Sequence, residues 1–484
     1  MNMRETGATP EGNTHAGVAQ MEAVFAALRA GSAQDRTPLY ATRMDRLRRL
    51  LALTVQHQDR ILAAISADFG HRSTHEMQLA EIFTTMSAIR HNMRHLRKWM
   101  KPRRVATPLH MLPASSRLLR QPLGVVGIIA PWNYPFHLAI GPAAAALAAG
   151  NTVLIKPSEL TPRLSQLMKE LVGQTFAAHE MAVVTGGAEV GAAFSELPFD
   201  HLFFTGSTQV GRIVAQAAAR NLTPVTLELG GKSPAIVSAD CDLDVAAPRM
   251  VFGKLFNAGQ TCVAPDYALV PRQRVTEFVQ AMQRAACAMY PTVADNPDYT
   301  AIVSQRHAER LERLLENARQ MGATVAPLTA LEKETSAHRK LPPALVLNVN
   351  DGMSIMREEI FGPLLPVVPY DTLDEALDYV NKGDRPLALY WFGKSGAERE
   401  RVLNETIAGG VTINDAVWHV AQENLPFGGV GASGMGSYHG EHGFRTFSKE
   451  KPVFLQTRWN AFGIFRPPYG RLFDRAIGAL KTLF

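Results

Sequence analysis

Three cysteines stand in the chain, and their surroundings differ. Cys262 closes the segment Phe256-Asn257-Ala258-Gly259-Gln260-Thr261-Cys262 and precedes Val263-Ala264-Pro265. A thiol in a glycine-bearing turn is accessible, and nearby backbone N–H groups stabilise a thiolate. Cys262 is therefore the nucleophile candidate, although the position alone reads equally well as a structural thiol. Cys241 sits between Asp240 and Asp242, whose charges raise a thiol pKa, and Cys287 reads as an ordinary cysteine on an apolar helix face. Glu228 ends an apolar run before Gly230 and Gly231; partial desolvation there lifts a carboxyl toward the range of a general base. An ion pair with Lys232 is the plainer reading of the same residue. Asn133, in Pro131-Trp132-Asn133-Tyr134-Pro135, follows the run Gly124–Ala130. A side-chain amide there donates to a developing oxyanion, while an asparagine beside prolines also simply forms turns.

A second group of residues suits a nucleotide. Gly206 and Gly211 bracket Ser207 and Thr208 between a predicted strand and a predicted helix. Backbone N–H groups and the positive end of the helix dipole at such a turn favour phosphate. The three-glycine dinucleotide fingerprint is absent, and a tight strand-to-helix turn explains the glycines as well. Lys156 and Glu159 follow the strand-like Thr152–Lys156. They suit ribose hydroxyls at the carboxyl end of a sheet strand, and a carboxylate there disfavours a 2′-phosphate. Glu159 alone is equally a first-turn helix residue.

Elements must hold these groups in place. Residues 17 to 100 carry helical periodicity, as at Leu47, Leu50, Leu51, Ile61, Leu62 and Ile65. Pro102, Pro108 and Pro113 then break it, and 102–122 reads as an extended excursion. From Gly124 short apolar runs alternate with helix-like stretches. Five such runs up to Leu229 predict a doubly wound parallel sheet, and residues 230 to 415 repeat an α/β mixture.

The chain is long enough for about three domain-sized units. Its 46% hydrophobic and 19% charged composition excludes a disordered chain, and three cysteines exclude a disulfide framework. A net charge of +6 requires no polyanionic partner. Arg90, Arg94, Arg97, Lys98 and Lys101 share one helix face, read as solvated, and no nucleic-acid motif accompanies them. The polar N-terminus reads as a flexible lead-in without a secretory h-region, so a cytoplasmic location is expected. The stretch from Gly124 to Ile155 is interrupted by Asn133, His137, Asn151 and prolines and does not read as a spanning helix. The apolar C-terminal stretch from Arg471 is also too short to span a bilayer. It reads as a docked helix or subunit contact, with a peripheral membrane anchor as the less favoured alternative.

The motifs PWNYPF, KPSE, FTGST, LELGGKSP, NAGQTC, EEIFGP and PFGGVGASGMG occur in this order between residues 131 and 436. Together they closely resemble the aldehyde dehydrogenase superfamily. The likeness is strongest to its shorter, class-3-like branch, which includes coniferyl aldehyde dehydrogenases. The signs are NAGQTCVAPDY around the cysteine and SYHGEHGFRTFSKEKPV near the end. The resemblance implies a Rossmann-type parallel-sheet cofactor domain (17–101 and 123–229) and an α/β catalytic domain (230–416). It also implies a small β bridging and oligomerisation element (102–122 and 417–455), followed by a tail (456–484).

By the same resemblance Cys262 is the nucleophile, Glu228 the general base, and Asn133 with the Cys262 N–H the oxyanion hole. Lys156 and Glu159 hold the adenosine ribose, and Gly206, Ser207 and Gly211 the pyrophosphate. Glu359 and Phe361 hold the nicotinamide ribose, and Pro426-Phe427 lies near the substrate entrance. The implied reaction is NAD-dependent oxidation of an aldehyde to the acid through a cysteine thiohemiacetal and thioester, with NADP as a second cofactor. Aromatic coniferyl-type or medium-to-long aliphatic aldehydes are the expected substrates. Trp132, Tyr134, Trp418 and Phe427 could line an aromatic-tolerant tunnel or belong to the core. A homodimer is expected, with no nucleic-acid partner and no metal. The competing readings are a cofactor-independent thiol hydrolase and a non-catalytic aldehyde dehydrogenase-like binding protein.

Overall fold

The computed structural model describes residues 10–330 and 339–483. The expected doubly wound sheet is present. Its parallel strands are Val125–Ile129, Thr152–Lys156, Met181–Val183, His201–Thr205 and Val225–Glu228. The chain enters at Val125–Ile129, winds outward through the next two strands, then crosses back to His201–Thr205 on the other side. That reversal opens a crevice at the carboxyl ends of the two central strands. The strands read as unbroken apolar runs because both faces are covered. Val125, Leu154, Leu202 and Phe204 pack with Met21, Phe25 and Leu28 of the helix Pro10–Gln34 and with Phe194 and Val214. Val126, Ile128, Val153, Ile155 and Phe203 face the other way, toward the helices His137–Ala149 and Pro162–Thr175.

The first helix begins at Pro10, so part of the expected flexible lead is helical; residues 1–9 lie outside the described residues. The helix Thr84–Trp99 exposes Arg90, Arg94, Arg97 and Lys98 to solvent, as its spacing predicts. Just before it, Gln78–Phe83 forms a π-helical turn that carries Glu81 inward. Such turns often mark functional positions.

Seven strands build a second sheet, in the lateral order Thr324–Pro327, Ala344–Leu347, Leu364–Tyr370, Tyr267–Pro271, Pro234–Val237, Ala388–Phe392 and Gly410–Ile413. All its pairings are parallel except that of the edge strand Thr324–Pro327. The proline-rich excursion forms Arg103–Val105 and Ser115–Pro122. The latter pairs antiparallel with Ser448–Leu455 along its full length, from Ser448 opposite Pro122 to Leu455 opposite Ser115. Gly434–Met435 leaves this region and adds an antiparallel strand to the first sheet, beside Leu227 and Glu228.

The tail forms the helix Arg471–Leu483, none of whose residues is buried. Its ring contacts are Phe473 with Phe465 and with Tyr469. The docked-helix reading is therefore corrected: the tail packs on its own preceding segment. Among the described residues no helix is long and apolar enough to cross a membrane.

Candidate functional site

Asn133 follows the first central strand, and two prolines flank it. It is buried, and its Nδ2 donates to the Gln260 carbonyl at 3.1 Å. Asn257 Nδ2 donates to the Asn133 and Gln260 carbonyls, both at 3.1 Å. Gln260 Nε2 donates in turn to the carbonyls of Asn257 and Ala301, and its Oε1 accepts from Val303 N–H. These amides hold the turn that ends in Cys262. Asn257, Ala258 and Gly259 carry φ of 55°, 51° and 74°. Three successive left-handed residues are costly, and the surrounding amides over-determine them. A Cβ on Gly259 would strike the Gly362 carbonyl, so this turn and the Phe361–Gly362 segment touch backbone to backbone.

Sequence reasoning missed the layer beneath. Arg72 and Glu81 form a wholly buried ion pair at 2.9 Å. The Arg72 guanidinium lies between the rings of Phe69 and Tyr134, 4.9 Å from each. The second oxygen of Glu81 accepts the N–H groups of Phe136 and His137, at 3.2 and 2.8 Å. Glu76 accepts Asn257 N–H at 3.1 Å and the Thr300 hydroxyl at 2.8 Å. Tyr134 and Thr261 share a hydroxyl hydrogen bond at 2.6 Å. The N-terminal helices thus clamp both the Asn133 turn and the Cys262 turn. Only the helical pattern of these helices was visible in sequence. Removing one partner of a buried pair leaves the other charge uncompensated, typically at about 3–5 kcal/mol. Arg72→Ala should therefore lower unfolding stability by about that amount in urea, with a parallel fall in kcat.

Glu228 is buried, and neither of its oxygens has a partner. Burial raises its pKa well above the ordinary carboxyl value, in the expected direction. Its suggested partner Lys232 is engaged elsewhere, on Asp266 and on the carbonyls of Ile355 and Glu358. Asp266 also accepts Ile360 N–H at 2.9 Å. The Lys232–Asp266 pair therefore positions the segment that carries Glu359.

Cys262 is half-buried. Burial pushes its thiol up to about 12, reinforced by the negative charges of Glu359 and Glu228. The N–H groups of Cys262 and Val263 act in the opposite sense and are outweighed. Alkylation of Cys262 by iodoacetamide in cofactor-free protein should rise about tenfold per pH unit between roughly pH 7 and 9. Peptide mass spectrometry separates it from the exposed Cys287, and a plateau within that range would contradict a thiol pKa raised by burial.

The nucleotide candidates gather along the same crevice. Lys156, buried, donates to Glu159 Oε2 at 2.8 Å. Burial raises the Glu159 carboxyl, but this hydrogen bond and its own N–H outweigh it, leaving the pKa below ordinary. Ser207 caps the helix Thr208–Ala219 by accepting Val210 N–H, and Gly206 precedes it. A Cβ on Gly211 would come 2.7 Å from Leu229, so this helix packs closely on the sheet. Glu359 lies against Gly230, with Oε1 buried and unpartnered, and burial followed by Asp266 lifts it to about 8. Phe361, at a φ of 52°, packs edge-on against Trp132 at 5.3 Å. A cavity of about 420 Å³ adjoins, lined in part by Thr208, Gly230, Glu359 and Ser433. A capped helix N-terminus, a Lys–Glu pair at a strand end and an orphaned carboxylate over a cavity fit a dinucleotide.

Aromatic rings lie near the thiol. Tyr134 stacks on Phe256 at 6.3 Å, Phe256 meets Phe252 at 5.2 Å, and Phe252 stacks on Trp418 at 5.9 Å. Trp418 is 45% exposed, whereas Tyr134 and Phe427 are buried.

This fold and this site define a family. The chain belongs to the aldehyde dehydrogenase family, whose model matches residues 6–453. It is an enzyme that oxidises aldehydes with NAD(P). The chain is 52% identical to "Probable coniferyl aldehyde dehydrogenase" of Pseudomonas aeruginosa, with 95% of each chain covered. It is 47% identical to coniferyl aldehyde dehydrogenase of a Pseudomonas species, covering 91% of this chain and 92% of the relative. Its fold matches the substrate-bound state of Staphylococcus aureus AldH with a TM-score of 0.90 and 40% identity, over 95% of this chain and 99% of that one. Mycobacterium tuberculosis aldehyde dehydrogenase complexed with NAD+ matches with a TM-score of 0.81 and 30% identity, over 92% of each chain.

Proposed function

We propose that this enzyme oxidises aromatic, coniferyl-type aldehydes to their carboxylic acids, with Cys262 as nucleophile and Glu228 as general base. The carrying observation is the run of rings from Tyr134 through Phe256 and Phe252 to Trp418 beside the Cys262 turn. Relatives named for coniferyl aldehyde support it. The Cys262 thiol gives its proton to solvent water as sulfur attacks the carbonyl carbon, so the C–S bond forms as the carbonyl π pair moves onto oxygen. The oxygen so formed takes hydrogen bonds from Asn133 Nδ2 and the Cys262 N–H, a contribution of about 2.7–4 kcal/mol per donor. When bound, NAD supplies the acceptor for the hydride that this carbon must lose. Glu228 then takes a proton from water as it attacks the thioester, and the acid leaves with the thiol restored.

Lys156 and Glu159 hold the adenosine ribose, and Gly206, Ser207 and Gly211 the pyrophosphate. Glu359 and Phe361 hold the nicotinamide ribose. The Glu159 carboxylate favours NAD over NADP. The sheet formed by Arg103–Val105, Ser115–Pro122 and Ser448–Leu455 pairs two protomers in a cytoplasmic homodimer, since Ser448–Leu455 offers an open edge. The test is NADH formation at 340 nm with coniferaldehyde, cinnamaldehyde, benzaldehyde, hexanal and octanal, run with NAD and NADP in parallel. Coniferaldehyde with NAD should give the highest kcat/KM; a preference for the aliphatic aldehydes would overturn the substrate reading.

A further inference from the structure

Four imidazoles meet behind this site, and the proposed reaction uses none of them. His439 is buried at 5% exposure, and neither of its ring nitrogens has a hydrogen-bond partner. Its ring stacks on Phe427 at 5.3 Å and meets Tyr438 edge-on at 4.4 Å. His419 lies 6.2 Å from the same Phe427 ring. Its Nδ1 is bonded to the Thr412 hydroxyl at 2.8 Å, and its Nε2 is buried and unpartnered. His137 pairs with the Thr85 hydroxyl at 3.0 Å. His91 and the Glu423 carbonyl crowd Gly440, where a Cβ would strike both.

Burial holds all four imidazoles far below their ordinary range, His439 at about 3 and the others at about 4. They are neutral at working pH, and a neutral imidazole offers one donor and one acceptor. Among the described residues no three His, Cys, Asp or Glu side chains converge as metal ligands. The cluster borders the reaction centre. His137 opens the helix that follows Asn133, and Tyr438 lies within electrostatic reach of Cys262 and Glu228 as well as of Glu423. Buried polar atoms in native proteins have partners, so three orphaned ring nitrogens against the Phe427 and Tyr438 rings call for one. An aliphatic chain supplies none. A ring hydroxyl both donates and accepts.

We propose that His439, with His137 and His419 beside it, forms the polar end of the aldehyde channel and binds the ring hydroxyl of an aryl aldehyde. This rests on the aromatic-aldehyde reading above and adds the feature of the substrate that is recognised. A hydroxyl bound by a site built for it is discriminated strongly from an analogue that lacks the donor, because the site's polar groups are then left unpaired.

The experiment measures kcat/KM for 4-hydroxycinnamaldehyde, 4-methoxycinnamaldehyde and octanal at pH 7 with saturating NAD. The proteins are wild type, His439→Gly and His439→Asn. His439 has φ 83° and ψ 137°, a backbone that glycine adopts freely and in which asparagine carries no more Cβ strain than the histidine it replaces, so the variants are chosen to fold. In wild type the hydroxyl-to-methoxy ratio should be at least ~10. It should fall to about 1–2 in His439→Gly and be partly restored in His439→Asn, which keeps a donor and an acceptor. A wild-type ratio near 1 overturns the proposal without any variant, and so does a ratio that survives His439→Gly. Octanal reads the other question: if it outruns both aryl aldehydes, the aromatic reading falls, while the ratio within the aryl pair still reports on His439.

Discussion

Cys262→Ala should abolish aldehyde-dependent NADH formation, lowering kcat by at least ~10⁴-fold, with the thermal transition nearly unmoved. The size follows from what the thiol does. An aldehyde carbon becomes a hydride donor only once a nucleophile has made it tetrahedral, and loss of an essential nucleophile elsewhere costs up to about 10⁶. No other thiol can stand in. Cys241 is buried, with its pKa raised to about 11 by burial, and Cys287 bonds the Leu328 carbonyl on the helix Val275–Met289. The fold should survive because the turn is held by Asn133, Asn257 and Gln260, none of which bonds the sulfur. Steady-state assay with differential scanning calorimetry reads both halves. Residual turnover above about 1% of wild type would remove Cys262 from its role.

Glu228→Gln should separate two phases. Thiohemiacetal formation and oxidation do not need the carboxylate, so rapid mixing should show a burst of about one NADH per site. Deacylation needs a base to take the proton of water, so the steady state should be slower by about 10²–10⁴. Equal slowing of both phases would count against the role. Sign and pH go together here. The Glu228 carboxyl has a raised pKa, so its active, ionised fraction grows with pH, and wild-type deacylation should rise on that limb while the variant's stays flat. The same shift acts on stability. A raised folded-state pKa contributes stability that is full below the unfolded value near 4.5 and is lost as pH rises through the folded value. The variant should therefore melt at or above the wild-type temperature at pH 8.

The sequence made the parallel sheet legible because strands covered on both faces are unbroken apolar runs. It made Cys262, Glu228 and Asn133 legible because each closes a strand or a glycine turn. The rest depends on contacts between residues far apart in the chain. Arg72 and Glu81 look like surface charges on an amphipathic helix until the π-helical turn carries Glu81 beneath Phe136 and His137. Lys232 lies close to Glu228 in sequence but bonds Asp266, because the strand end points the two side chains apart. His439 and His137 belong to separate motifs, and only the fold brings them together.

The pairing of Gly434–Met435 with Leu227–Glu228 has a consequence for synthesis. The strand that ends in the proposed base gains its outer neighbour only after about 200 further residues have left the ribosome, roughly 10–40 s at ordinary elongation rates. Ser115–Pro122 waits still longer for Ser448–Leu455. The nascent first sheet thus spends about two-fifths of translation with an open border, the period in which unpaired strands recruit other chains. A premature stop before Gly434 should leave this border permanently bare, so truncated products ought to aggregate or be degraded rather than persist as a smaller nucleotide-binding protein.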